Sequence, residues 1–285
     1  MNFKKFEHKN ILVTGASSGI GEAITYLLAQ ADANLYLAGR DWKKLSVVRE
    51  KCMQSGSADA SSKSDLDTDK ADAAITDKVQ IFQVDFSDTS SIDNFVSDIT
   101  GKNIFFDYII LNAGISQRAL TLDTDFEVDR KIMDTNYFGP VYLTKKLSGM
   151  LKSDQMVHIA VTSSISGLFG YPLRSAYCAS KHALFGFFES LELEYENIKV
   201  TFLIPGRINT PISKSAVLGD GSAYAKMDSG QADGMDVNKC ARIALRAIAK
   251  GKHRKLIGGK ELLMVYIKKF VPSLFFKIAR NISAT

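Results

Sequence analysis

The chain has 285 residues, 46% hydrophobic, 10% aromatic and 24% charged, a soluble composition with enough apolar mass for a full core. No apolar run reaches the ~18 residues of a membrane span, which excludes a bilayer-crossing class. The net charge of +5 is uneven: residues 239–285 carry twelve Lys/Arg and one acid, Glu261, so the remainder is net negative.

A basic tail suggests an anionic partner such as a membrane surface, with a solvated basic face as the plainer alternative. Cys52, Cys178 and Cys240 are odd in number and show no CxxC spacing, so they read as reduced thiols without a disulfide framework or metal site. The four histidines have no metal spacing either; His158, inside a strand, reads as a core or interface residue. "MNFKKFEHKN" contains no apolar stretch of the signal-peptide kind. The expected location is cytoplasmic, with a membrane-peripheral variant.

The first predicted strand, "ILVT" (11–14), runs into "GASSGIG" and a helix over 19–31. Gly15, Gly19 and Gly21 let the chain turn tightly and approach a pyrophosphate, which the N–H groups at the helix start bind. Ser17 and Ser18 add hydroxyl donors. The second strand, "NLYLA" (34–38), ends at Gly39, Arg40 and Asp41. An acid there suits a ribose 2′-OH and an arginine suits a 2′-phosphate, so Arg40 favours NADP(H), with NAD(H) as the alternative.

A helix is predicted over 41–52. Residues 53–78 are small, polar and Asp-rich, and read as a surface loop inserted into the domain. Strand "VQIFQV" (79–84), helix 89–100, strand "YIIL" (108–111), helix 126–151, strand "MVHIAVT" (156–162), helix 175–196 and strand "KVTFLI" (199–204) follow. The strands are apolar throughout, as strands buried on both faces should be. The alternation predicts an α/β fold, one Rossmann-type domain over 1–285 with a doubly wound parallel sheet and helices on both faces.

Between the last two strands lies "SSISGLFGYPLRSAYCASK" (163–181), with Ser164 13 positions before Tyr177 and Lys181 4 after it. Four residues apart on a helix, Tyr177 and Lys181 share a face. A tyrosine base at neutral pH needs its pKa lowered by about three units, roughly 4 kcal/mol. An ammonium ~5.5 Å away supplies about 3 kcal/mol at an effective dielectric near 20, so one lysine is expected nearly to suffice. Ser164, at a strand's carboxyl end, can bond a substrate oxygen; Ser163 competes, but the spacing favours Ser164.

"TGASSGIG" (14–21), "VDFSD" (84–88), "LNAG" (111–114), "NYFG" (136–139), the residues Ser164, Tyr177 and Lys181, and "PGRINT" (205–210) together resemble the short-chain dehydrogenases/reductases over nearly the whole chain. The later segments look most like their steroid-dehydrogenase-like, dehydrogenase/reductase subgroup. The resemblance implies a cofactor site formed by Gly15, Ser17, Ser18, Gly19, Ile20, Gly21, Arg40, Asp85, Phe86, Asn112, Ala113, Gly114, Tyr177, Lys181, Pro205, Gly206, Ile208 and Thr210. Asp85 and the Phe86 backbone would face the adenine. Ile208 and Thr210 would hold the nicotinamide carboxamide.

It also implies catalysis by Asn136, Ser164, Tyr177 and Lys181. Asn136 would kink its helix and hold a water leading to Lys181, and Tyr177 would act as general acid/base. The implied activity is NADP-dependent hydride transfer to or from an alcohol or carbonyl. "LNAG" departs from the commoner Asn-Asn-Ala-Gly, and the 53–78 insertion is longer than the usual link.

Residues 211–235 are small and flexible where the family places a substrate lid. Leu168, Phe169, Tyr171 and Leu173 are expected near the pocket mouth, and an apolar pocket suits a lipid-like or steroid-like substrate. In the tail, 261–285, Pro272 divides two basic amphipathic pieces that could lie on an anionic bilayer or pack over the substrate mouth. Expected partners are the small-molecule alcohol or ketone, a second copy in a homodimer or homotetramer through helices 126–151 and 175–196, and peripheral membrane contact; nucleic acid is not expected. Two rivals stand beside the enzyme: a catalytically silent dinucleotide-sensing module, which usually lacks the tyrosine–lysine pair, and a nucleotide-sugar epimerase or dehydratase, whose glycines are spaced differently.

Overall fold

Seven strands, all parallel, lie in the order β3-β2-β1-β4-β5-β6-β7. The computed structural model describes residues 3–57 and 78–282. The strands are β1 (Asn10–Thr14), β2 (Asn34–Gly39), β3 (Val79–Gln83), β4 (Tyr108–Leu111), β5 (Val157–Thr162), β6 (Ile198–Pro205) and β7 (Arg254–Ile257). The order reverses between β2-β1 and β4-β5, the place where such sheets open a crevice beyond their strand carboxyl ends.

Side-chain alternation divides the core. Ile11 and Val13 of β1 face one layer, built from α1 (Gly19–Ala29), α2 (Trp42–Ser57) and a helix at Val237–Ala249. Leu12 faces the other, with α3 (Thr89–Gly101), the 139–146 helix and the 175–194 helix. Each strand is therefore apolar at successive positions, since both of its faces are covered.

Three departures from the sequence expectations stand out. Helix α2 continues to Ser57, so residues 53–57 are helical rather than loop; the rest of the expected insertion, to residue 77, lies outside the described residues. The expected helix at 126–151 is interrupted. It consists of α4 (Phe126–Met133), a π-helical turn at Asp134–Phe138, α5 (Gly139–Lys146) and a single turn at Ser148–Leu151. Two elements are additional: β7 on the sheet edge, and the Val237–Ala249 helix, capped by Asp236, whose carboxylate accepts from Lys239 N.

The long α6 (Ser175–Glu194) follows the serine turn, and the 237–249 helix is α7. Pro272 separates α8 (Leu263–Phe270) from α9 (Pro272–Ala279). Residues 211–235 contain one helical turn, Ser229–Ala232, and are otherwise stitched by bridges such as Gln117–Val217 and Ile208–Met235. Among the described residues no helix is long and apolar enough to cross a membrane.

Candidate active site

The carboxyl ends of β1, β2, β4, β5 and β6 border one crevice of about 1890 Å³. Single-ligand pockets usually occupy about 300–1,000 Å³, so this one has room for two ligands side by side.

At one end is the glycine turn. Gly15 and Gly19 have φ of 65° and 60°, the left-handed region that costs glycine little. A Cβ on Gly21 would come within 2.3 Å of Gly15 O, so only glycine lets α1 start this close to the turn. The helices α3 and α7 are capped by aspartate side chains, whereas Ser18, preceding α1, makes no side-chain cap bond. The first N–H groups of α1 are thus left to the crevice beside Ser17, Ser18, Gly19 and Ile20, a cradle that fits a pyrophosphate. Thr210 packs over this cradle: a Cβ on Gly19 would stand 3.3 Å from the Thr210 Cβ.

Arg40, Lys43 and Lys44 line the rim at the end of β2. Asp41 is occupied by Lys44, whose N donates to Oδ1 at 3.0 Å and whose Nζ lies 3.2 Å from Oδ2. The Lys44 backbone hydrogen bond, foremost, holds the Asp41 carboxyl below its usual range.

Most of the expected contacts line the crevice, including Phe86, Asn112, Ala113, Gly114, Pro205, Gly206, Ile208 and Thr210. Asp85 does not. Its carboxylate accepts from Ser87 N at 2.9 Å and Ser87 Oγ at 2.7 Å, closing its own turn rather than facing a ligand. Gly21 lies behind the cradle, and Leu168 and Leu173 stand away from the mouth that Phe169 and Tyr171 do line.

Tyr177, Ser164 and Lys181 meet at the centre. Tyr177 and Ser164 are each 8% exposed, and Lys181 is 4% exposed. Lys181 Nζ donates to Thr162 O at 2.9 Å and sits 5.9 Å from the Tyr177 ring centre. Ser163 Oγ donates to Lys181 O at 3.0 Å, tying β5 to α6, so the competing serine is committed to structure. Ser164 Oγ accepts from Ser166 N at 3.2 Å and stays beside the phenol.

The electrostatics correct the single-lysine estimate. Burial pushes the Tyr177 phenol up from its ordinary pKa; the Ser164 hydroxyl and the guanidinium charges of Arg174 and Arg118 oppose it. Burial also lowers Lys181 to about 8, so it is a weaker cation than a free lysine. Burial is the largest influence on the phenol, and the charges that oppose it come from Arg174 and Arg118 rather than from Lys181.

Asn136 sits in the π-helical turn, 1% exposed. Its Oδ1 accepts from Ile115 N at 2.8 Å, and its Nδ2 donates to Ile115 O at 2.9 Å and to Ser180 Oγ at 3.0 Å. It lines a cavity of about 10 Å³ with Lys181 and Thr162, on the order of one water molecule. Thr162 Oγ1 is buried and, among the described residues, has no hydrogen-bond partner.

A buried ion cluster was not foreseen. Arg118 Nε donates to Asp228 Oδ2 at 3.0 Å, its Nη2 also reaches that carboxylate, and Arg174 Nη2 donates to it at 3.1 Å. Arg118 and Asp228 are 5% and 4% exposed, and all three residues line the crevice. Two guanidiniums around one carboxylate join the loop after β4, the start of α6 and the 211–235 segment. No spacing rule links positions 118, 174 and 228, so sequence alone carries no signal for them.

The short chain dehydrogenase family profile matches residues 9–80 and 60–220. The chain is 37% identical over 272 residues to Dehydrogenase/reductase SDR family member 7B of Xenopus laevis, covering 94% of this chain and 80% of that one. In structure it is similar to a short chain dehydrogenase/reductase from Burkholderia phymatum in complex with NAD, with a TM-score of 0.75 at 20% identity over 94% of this chain and 95% of that one. It is also similar to an alcohol dehydrogenase from Thermococcus sibiricus complexed with 5-hydroxy-NADP, with a TM-score of 0.69 at 21% identity over 88% and 97% of the two chains.

Proposed function

The chain belongs to the short chain dehydrogenase family, and we propose that it transfers a hydride between NADP(H) and an apolar alcohol or carbonyl, with Tyr177 as general acid/base. The observation that carries this is the convergence of Tyr177, Ser164 and Lys181 on the same crevice as the open N-terminus of α1. The bound cofactor would supply the hydride; the protein supplies orientation, charge and a proton.

In reduction, Tyr177 gives its phenolic proton to the carbonyl oxygen, and its burial keeps that proton in place near neutral pH. Ser164 donates to the same oxygen as negative charge develops there. Lys181, Asn136 and the cavity between them offer a route by which the phenol is reprotonated. The Arg174 and Arg118 charges favour the phenolate once it forms. Cofactor contacts are assigned to Gly15, Ser17, Ser18, Gly19, Ile20, Arg40, Phe86, Asn112, Ala113, Gly114, Pro205, Gly206, Ile208 and Thr210, with Gly21 shaping the cradle.

The cationic rim supports a preference for NADP(H): Arg40 stands with Lys43 and Lys44, and Asp41 is engaged by Lys44. Ile165, Phe169, Ile212 and Met264 supply apolar wall for a lipid-like or steroid-like substrate. Phe126 and Phe138, 71% and 53% exposed, support a homo-oligomer through the 126–146 region, and residues 211–235 serve as the substrate lid. The enzyme is proposed to be cytoplasmic with peripheral membrane contact.

Tyr177→Phe tests the chemistry. Turnover should disappear while NADPH binding persists; an active variant defeats the role, and a wild type that binds NADPH but turns over no alcohol or ketone favours the silent dinucleotide-binding alternative. Binding titrations test the cofactor: tighter NADH than NADPH overturns the preference.

A further inference from the structure

The α8–α9 hairpin has two apolar faces, and among the described residues only one is covered. On the inner side Phe275, buried to 2% exposure, meets Phe169 at a tilt with ring centres 5.0 Å apart, and Met264, Val265 and Ile267 pack on the same cluster. On the outer side Leu263, Tyr266 and Phe270 are 61%, 51% and 68% exposed. Spaced at i, i+3 and i+7, they form one stripe along α8. Val271, Leu274 and Phe276 extend the exposed apolar surface across the Pro272 break.

Cations border this surface. Lys268 Nζ lies 4.2 Å from the Phe276 ring centre, Lys269 Nζ lies 5.3 Å from that of Phe270, and Lys277 and Arg280 follow on α9. The segment's single acid, Glu261, is turned away: its Oε1 accepts from Arg207 N at 2.8 Å and from Gly259 N at 3.0 Å. Bulky apolar side chains with a basic border that pairs with no acid among the described residues form the pattern of an element lying in the plane of a bilayer interface. The stems of lysine bury beside the rings while the ammonium stays with the headgroups.

We infer that the outer face of this hairpin docks on an anionic phospholipid surface. A second copy of the chain is the poorer occupant, since a two-fold contact would oppose basic face to basic face. Met264 and Lys260 line the catalytic crevice from the hairpin side, so docking brings the crevice mouth beside the bilayer. That orientation matters to the reaction only if the proposed chemistry holds; the docking itself does not depend on it.

The test is co-sedimentation of the full chain with phosphatidylcholine vesicles, with and without phosphatidylserine. The chain should pellet with the anionic vesicles, weakly with neutral ones, and less as salt rises. The variant Leu263→Ser/Tyr266→Ser/Phe270→Ser should bind anionic vesicles at least tenfold more weakly. Its turnover of a water-soluble ketone should be unchanged, which keeps failure of docking separate from failure of the chemistry. Hydrogen exchange on the unaltered chain gives a second readout, with protection at 263–280 only when anionic vesicles are present. Wild type that stays in the supernatant, pelleting unaffected by the substitutions, or a stripe protected without lipid because it joins two copies would each overturn the inference.

Discussion

Asn136 brackets the peptide unit of Ile115, accepting from its N–H and donating to its carbonyl. One side chain in the π-turn therefore fixes the position of the loop after β4 against α4 and α5. Replacing Asn136 with Leu leaves a buried donor and a buried acceptor unpaired, each costing about 1–3 kcal/mol. The expected outcome is a stability loss of roughly 2–6 kcal/mol in urea unfolding, with turnover falling as well. Asn136→Asp, which sets a second acceptor against the Ile115 carbonyl and buries a carboxyl, should lose at least as much.

Thr162 gives the opposite combination. Its hydroxyl is buried, without a partner among the described residues, at the cavity shared by Asn136 and Lys181. Thr162→Val keeps the shape and removes an unsatisfied group, so unfolding should be unchanged or shifted up by about 1 kcal/mol. If the cavity carries the proton route, kcat should fall several-fold while KM for cofactor stays constant. Steady-state kinetics beside a urea melt would separate the two effects.

Asp228 holds two guanidiniums in place. Burial acts to raise its carboxyl, but the Arg118 hydrogen bond and the charges of Arg118 and Arg174 prevail and hold it below the usual range. Its contribution to stability is therefore present above the unfolded carboxylate pKa of about 4 and is lost as pH falls further. Asp228→Asn leaves two like charges buried together and should cost about 3 kcal/mol or more. Limited proteolysis should then cut first within residues 211–235.

His158 sets a second pH window. Burial, foremost, lowers it to about 4, while its Nε2 lies 2.8 Å from Thr201 Oγ1. Between about 6.5 and 4 the unfolded chain takes up a proton that the folded chain refuses, so stability should decline as pH falls through that interval. His158→Gln should remove part of this slope and leave the plateau near pH 7 little changed. Thermal melts at half-unit pH steps would show it.

The first six strands were legible because each is an apolar run covered on both faces, a pattern that composition alone exposes. β7 was not: "RKLI" is an edge strand, half charged, and pairs on one side only. Helix α7 was legible in principle, since Cys240, Ala241, Ala244, Leu245 and Ile248 recur at helical spacing on its buried face, but it lies beyond the last of the motifs that organised the sequence reading. The break at 134–138 was legible as a local kink at Asn136, though not as a division of the helix into separate segments. At the site, motif spacing brought Tyr177, Lys181 and Ser164 to one place. The Arg118–Asp228–Arg174 cluster was hidden because it forms only when distant loops meet, and the raised phenol because desolvation is a property of the folded interior.

The strand order has a consequence for how the chain is made. Val13 pairs with Leu37 on one side and with Ile110 on the other, and about a third of the polypeptide separates β1 from β4. On a translating ribosome, the first three strands would stand for about 1–5 seconds with a bare inner edge, at about 5–20 residues per second. An unpaired apolar strand is a template for a neighbouring nascent chain. The β4 segment is thus the piece whose late arrival sets the exposure of this protein to chaperones during synthesis.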